Sequence, residues 1–228
     1  MTGWLTESEA PLLTFYDDAT GERTELSARA LGRWASRAAA MLHDGYGLGP
    51  GDRAAVLLPP HWRTAVVLLG AWGAGLSLQF RLWATAGLGT PPEPVEAVVV
   101  SGTRLGSWLD EVPPAEHRFV VGSATPDYRN FFAELERYPA SDEPARPGYE
   151  ATDDGTTYRE WGNLARSLAD ELAVRCGDRL LIDAAVHEHP VTWLLMPLSV
   201  GASIVLCANL DAATVSERVS AEGVTRVL

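Results

Sequence analysis

An internal repeat limits the folds open to this chain more than any other feature. Gly51 to Phe80 reads GDRAAVLLPPHWRTAVVLLGAWGAGLSLQF, and Gly177 to Leu206 reads GDRLLIDAAVHEHPVTWLLMPLSVGASIVL. A shift from position 51 to position 177 lays Gly51, Asp52 and Arg53 on Gly177, Asp178 and Arg179. The same shift puts His61 on His187, Gly75 on Gly201 and Ser77 on Ser203, with no gap. Each copy reads as a turn, a buried strand, an apolar helix, a glycine stop and a second strand. Strand, helix, strand with short links is a right-handed βαβ unit. Strands as continuously apolar as Ala54–Leu58 belong to parallel sheets covered on both faces. The fold class is therefore α/β, with two similar lobes of mostly parallel sheet flanked by helices.

The rest of the chain fits around these units. Leu12 to Tyr16 reads as an edge strand, and Asp17 to Gly21 as a turn. Ser27 is a candidate N-cap. After it Leu31, Trp34, Ala35, Ala38, Met41 and Leu42 recur at helical spacing, up to His43-Asp44-Gly45. Glu96–Ser101 and Phe119–Val121 read as strands. Thr103–Leu109 and Tyr128–Glu136 read as helices. The proline-bearing stretch Tyr138–Gly148 reads as a linker. The expected domains are a first lobe over 1–137, a linker over 138–150 and a second lobe over 151–228. In the second lobe a helix carries Trp161, Leu164, Ala165, Leu168 and Leu172 on one face. Asp211 is placed at the start of a helix that runs to Glu222.

Composition removes several kinds of function. The net charge is −12, so general nucleic-acid binding, which needs clustered cations, is not expected. All 18 basic residues are arginine, so no lysine can form a Schiff base or neutralise a phosphate. Cys176 and Cys207 show no metal-ligand spacing and read as reduced thiols. The start of the chain is polar and acidic and gives no signal-peptide pattern. The longest apolar run, Thr64–Phe80, is too short to cross a bilayer. A cytoplasmic protein without membrane contact is expected.

The segment GPGDRAAVLLPPHWRTAVVLLGAWGAGLSL resembles the early part of the adenylate-forming superfamily, the acyl-CoA synthetases and adenylation domains. So does GDRLLIDAAVHEHPVTWLLMPLSVGASIVLCANLDAATVSERVSAEGVT, with its Gly-Asp-Arg, strand, histidine and apolar helix. A small actinobacterial group of short AMP-binding-like proteins looks similar too. The resemblance covers most of this chain but only the N-terminal part of such enzymes. It implies binding of ATP or AMP with Mg, and formation of an acyl-AMP. The departures bear on that activity. The superfamily's phosphate loop is matched only by Gly155, Thr156 and Thr157 before Asn163-Leu164; its Gly-x-Pro-Lys-Gly half is absent. Thr157 and Glu160 also fit a capping box at the start of a helix. The superfamily's later metal-binding and lid motifs have no counterpart here.

His61, His187 and His189 are the candidate crevice residues, because ligands of open α/β sheets sit outside the carboxyl ends of strands. No metal set is visible beside His187 and His189. Two readings follow. One is a catalytically degenerate, truncated homologue that acts as a binding or assembly module. The other is a ligase-like enzyme completed by a partner chain. An apolar surface left uncovered by truncation predicts a homodimer.

Overall fold

A computed structural model describes residues 10–85, 92–106, 111–140 and 149–228. It contains two five-stranded sheets, mostly parallel and flanked by helices. Their strands, in chain order, are β1 (Pro11–Asp17), β2 (Glu22–Ser27), β3 (Arg53–Leu57), β4 (Ser77–Phe80), β5 (Val95–Ser101), β6 (Ala115–Val121), β7 (Arg129–Asn130), β8 (Arg179–Asp183), β9 (Ser203–Ala208) and β10 (Arg226–Val227). One sheet has the order β10-β8-β9-β1-β2 and the other β4-β3-β5-β6-β7. Only β1–β2 is antiparallel.

The sheets do not follow the linear division into 1–137 and 151–228. β1 and β2 lie in the sheet of the second repeat, because β1 pairs in parallel with β9, Phe15 opposite Leu206. Nor is β1 an edge. Leu13, Thr14 and Phe15 are all but fully buried, which requires neighbours on both sides. The edge is β2, which the sequence reading passed over. Its polar sequence ERTELS suits a strand open to water on one side. Two compact units result: Met1–Gly32, Pro60–Ala65 and Arg159–Leu228 in one, Arg33–Pro59 and Val66–Tyr158 in the other. Of the expected linker, 141–148 lies outside the described residues, as do 107–110 of the helix expected over 103–109.

The helices largely form where the periodicity puts them. α1 (Ala28–Ala40) is capped by Ser27, whose Oγ accepts the Ala30 N–H at 3.2 Å, and it ends in a π turn over Met41–Gly45. α2 (Trp62–Ala74) is buried along most of its length, as its apolar sequence requires. A Cβ on Gly70 would overlap Ala38, so glycine lets α2 approach α1 closely at that point. After the short α3 (Gly102–Leu105) come α4 (Phe131–Leu135), capped by Asn130, and α5 (Tyr158–Glu171). A π turn over Val191–Leu195 runs into α6 (Met196–Val200), and α7 is Val215–Glu222. Asp211 accepts the Ala213 N–H at 2.9 Å and so shapes the turn before α7 rather than its first residue.

The repeat holds at the level of single hydrogen bonds. Gly51 and Gly177 both take left-handed φ, +101° and +84°. Asp52 accepts the Gly49 N–H at 2.8 Å and Asp178 the Arg175 N–H at 2.7 Å. Their carbonyls accept the N–H groups of Ser77 and Ser203 at 3.0 and 2.8 Å. Arg53 pairs with Ser77 and Arg179 with Ser203 at the same register of their parallel strands.

Candidate functional site

The histidines expected to line a crevice have defined local tasks. His61 precedes α2. Its Nδ1 accepts the Arg63 N–H at 3.0 Å, which caps the helix and leaves the proton on Nε2, 3.7 Å from Glu22. The ring lies 4.0 Å from that of Phe15. Burial pulls its pKa down to about 4; Glu22 opposes the shift and Arg63 adds to it. Burial also works against ionised Glu22, but the Trp62 indole N–H at 2.9 Å, with His61 and Arg63, holds it below the ordinary carboxylate range. His61 is thus a neutral imidazole near pH 7, its Nδ1 lone pair occupied by the Arg63 N–H and its Nε2 proton turned toward Glu22.

His189 does the same at the other helix. Its Nδ1 accepts the Val191 N–H at 3.3 Å, and its ring stacks on Trp161, centroids 5.4 Å apart. Burial lowers its pKa as well. The functional counterpart of His61 is therefore His189, not the His187 that the ungapped alignment pairs with it. The second copy has two more residues between strand and helix, and its helix is correspondingly shorter before Gly201. His187 sits just after β8, its N–H bonded to the Asp183 carbonyl at 3.0 Å. Among the described residues, no group of three His, Cys, Asp or Glu side chains is placed to hold a metal.

Gly155, Thr156 and Thr157 fall in a tight turn built on Asp154. The Asp154 carboxylate accepts the Thr152 hydroxyl at 2.6 Å and the Thr156 N–H at 3.0 Å. The Gly155 N–H goes to the Thr152 carbonyl at 3.2 Å, and Glu150 bridges to Thr157. These hydrogen bonds hold Asp154 below the ordinary carboxylate range. A phosphate cradle needs several amides pointing together at an empty position. Here the amides of Gly155 and Thr156 are already paired, one of them to a carboxylate. The turn also covers the edge of β4: the Leu78 N–H bonds to Ala151 and the Asp153 N–H to Leu78. α5 begins directly after Thr157, where the capping reading puts it.

Among the described residues, a dense polar cluster forms around Glu222, a residue that no sequence motif marks. Glu222 of α7, its side chain 9% exposed, accepts the Tyr16 hydroxyl at 2.5 Å, Arg179 at 2.5 Å and Arg23 at 3.0 Å. Burial opposes its charge, but these donors hold the carboxyl near pKa 2. Beside it Arg218 pairs with Asp18 at 2.6 Å and lies 4.3 Å over the Tyr16 ring. α7 buries no residue fully, so ionic contacts supply much of its attachment to the sheet. Only Arg179, as part of a repeated motif, carried a sequence signal. Glu222 came into reach through the fold.

Comparison with known proteins places this geometry in a class. An acyl-CoA synthetase of Brucella canis superposes with TM-score 0.73 at 18% identity, over 97% of this chain and 45% of that one. An anthranilate CoA ligase solved with anthranoyl-AMP gives 0.69 at 18% identity, over 96% and 45%. Apo MbtA of Mycobacterium smegmatis gives 0.64 at 23% identity, over 93% and 44%. The fold is that of adenylate-forming enzymes, and the chain spans about half the length of these relatives. A TIGR03089 family protein of Mycobacterium tuberculosis is 34% identical over 244 residues, 96% of this chain and 91% of its own. The chain belongs to the TIGR03089 family. No family model matches it. No helix among the described residues is long and apolar enough to cross a membrane.

Proposed function

We propose that this chain is a non-catalytic relative of the adenylate-forming enzymes that works as a binding or assembly module. The observation that carries the reading is the turn at 151–157. The amides of Gly155 and Thr156 are paired within the turn, and Asp153 and Asp154 place negative charge where a nucleotide phosphate would need positive charge. Phosphoryl chemistry depends on cations and directed donors at the phosphate oxygens. The chain has no lysine to supply either. The residues that resemble a phosphate loop do not fit ATP or AMP. Exposed Leu164, Val186 and Val227 support association with a second copy or another protein. The free thiols Cys176 and Cys207 suit a cytoplasmic setting. Purified protein is expected to show no ATP–pyrophosphate exchange with a panel of aliphatic and aromatic carboxylates. Exchange above background would overturn the reading, and a light-scattering mass of one chain at micromolar concentration would remove the dimer.

A second reading is a ligase-like enzyme completed by a partner chain. It is favoured by the coverage of about half of each synthetase and by the acyl-adenylate held in one of those structures. A non-hydrolysable acyl-AMP mimic at a hundred times its dissociation constant would then stabilise the protein by about 2.7 kcal/mol. The absence of any thermal shift at millimolar mimic is the expected result.

A further inference from the structure

At the amino-terminal end of β3 and β4, a groove of about 270 Å³ is lined by Gly51, Arg53, Gly75, Ser77, Glu150 and Asp153, with Tyr149 at its rim. This is the end of the sheet opposite the one where ligands of open α/β sheets usually bind. None of these residues belongs to the site described above, apart from the backbone role of Glu150 and Asp153 in the turn.

The side chains have unequal demands on them. Arg53 is satisfied within the protein: it donates to the Pro94 carbonyl at 2.9 Å and faces Glu93 and Glu96 at 3.6 and 4.0 Å. Asp153 gives one oxygen to the Gln79 amide at 2.8 Å and keeps the other. The Glu150 carboxylate has no side-chain partner among the described residues, and neither has the Tyr149 ring, which is 81% exposed. Ser77 is the telling residue. It is 6% exposed, it lines the groove, and its hydroxyl makes no hydrogen bond among the described residues. The hydroxyl oxygen is not sealed off from the groove, so it is open to a ligand there. Its repeat counterpart Ser203 is paired, with Arg179 and the Asp178 carbonyl both at 3.4 Å. Gly51 adds room, since a Cβ there would meet nothing within 4 Å.

Two carboxylates, one of them without a partner among the described residues, an exposed aromatic face and an unpaired hydroxyl acceptor in a small groove describe a receptor for an organic cation. We infer that this groove binds an alkyl guanidinium or ammonium group. The carboxylates would pair with its N–H donors, Ser77 would accept one of them, and Tyr149 would cover its face by a cation–π contact. A free small amine and the basic side chain of a protein offer the same group. An anion is disfavoured, because the one cation present is already paired.

The test is calorimetric titration of the whole chain at low salt with agmatine and, separately, with an acetyl-Gly-Arg-Gly-amide peptide. Agmatine is expected to bind, and to lose about tenfold in affinity from 20 to 200 mM salt as the Debye length shrinks. Glu150→Gln is expected to weaken binding about tenfold. Ser77→Ala should weaken it several-fold while leaving Tm unchanged or raised, a pattern that a merely structural serine would not give. Tighter binding of the peptide would identify a protein side chain as the source of the cation, and tighter binding of agmatine a small amine. No heat from either probe at millimolar concentration would overturn the inference. So would binding that Glu150→Gln and Ser77→Ala leave intact, or a calcium or magnesium isotherm on the same residues with none for the organic cations.

Discussion

The two copies of the Gly-Asp-Arg unit share a backbone and differ in what their side chains do. In both, a left-handed glycine, an aspartate cap and a carbonyl-to-serine hydrogen bond set the turn and the register. The arginines that follow part ways. Arg53 is 41% exposed, and its two ion pairs are long. Arg179 is 14% exposed and bonds Glu222 at 2.5 Å and Thr14 at 2.9 Å. The helices differ too. α2 is regular, whereas the second copy has a π turn just before Pro197, where the first copy has Ala71. Proline lacks an N–H and its ring crowds the carbonyl four residues back, and widening the turn relieves that crowding. A repeat thus fixes local geometry, and the neighbours that the fold supplies fix the energetics.

The sharpest way to break the comparison is to remove both arginines in turn. Arg179→Ala leaves buried Glu222 with Tyr16 and Arg23 as its remaining donors and is expected to cost about 3 kcal/mol in urea unfolding. Arg53→Ala should cost less than about 1 kcal/mol, as for exposed pairs. Equal losses would sink the distinction between the two sites.

Acid titration tests the capping role of His61. His61 has a folded pKa of about 4, below the 6.5 of the unfolded chain. The folded state therefore binds fewer protons, and stability falls as pH drops from about 6.5 towards 4, by on the order of 3 kcal/mol. Glu222 acts in a lower window. Its folded pKa of about 2 lies under the unfolded 4.5, so its contribution is present above 4.5 and is lost on going down to 2. Unfolding measured between pH 7 and 4 should lose much of its slope in His61→Gln. An unchanged slope in that variant would show that His61 is not buried as a neutral imidazole.

Smaller effects come from the backbone. Gly51→Ala and Gly177→Ala should each destabilise by about 1–2 kcal/mol, since both positions hold φ that L residues avoid. Ala173 has φ +53° just past α5, where the Val174 N–H bonds to Ala169 in a glycine-type helix ending. Ala173→Gly is therefore expected to stabilise by about 1 kcal/mol. A fall in Tm for Ala173→Gly would show that unfolded-chain entropy outweighs the strain there.

Much of the fold was legible because periodicity and turn chemistry are local. The repeat, the apolar β3, the Ser27 cap and the resemblance to adenylate-forming enzymes are all legible in the chain. The site was less legible. An ungapped alignment pairs His61 with His187, whereas the capping role falls to His189, because such an alignment cannot see two residues moved from a helix to a loop. The likeness of Gly155, Thr156 and Thr157 to part of a phosphate loop rests on the resemblance to the adenylate-forming superfamily. Whether their amides were free depended on where Asp154 pointed.

The sequence by itself determined the α/β class, the doubled βαβ plan, the absence of lysine and the turns that need glycine. Each of these follows from residue type or from spacing within a few positions. Only the tertiary structure decided that β1 and β2 join the sheet of the second repeat, that Glu222 closes on Arg179, and that Ser77 is left unpaired while Ser203 is not. These depend on groups far apart in the chain, brought together by burial of apolar strands whose pattern says that they need neighbours without saying which.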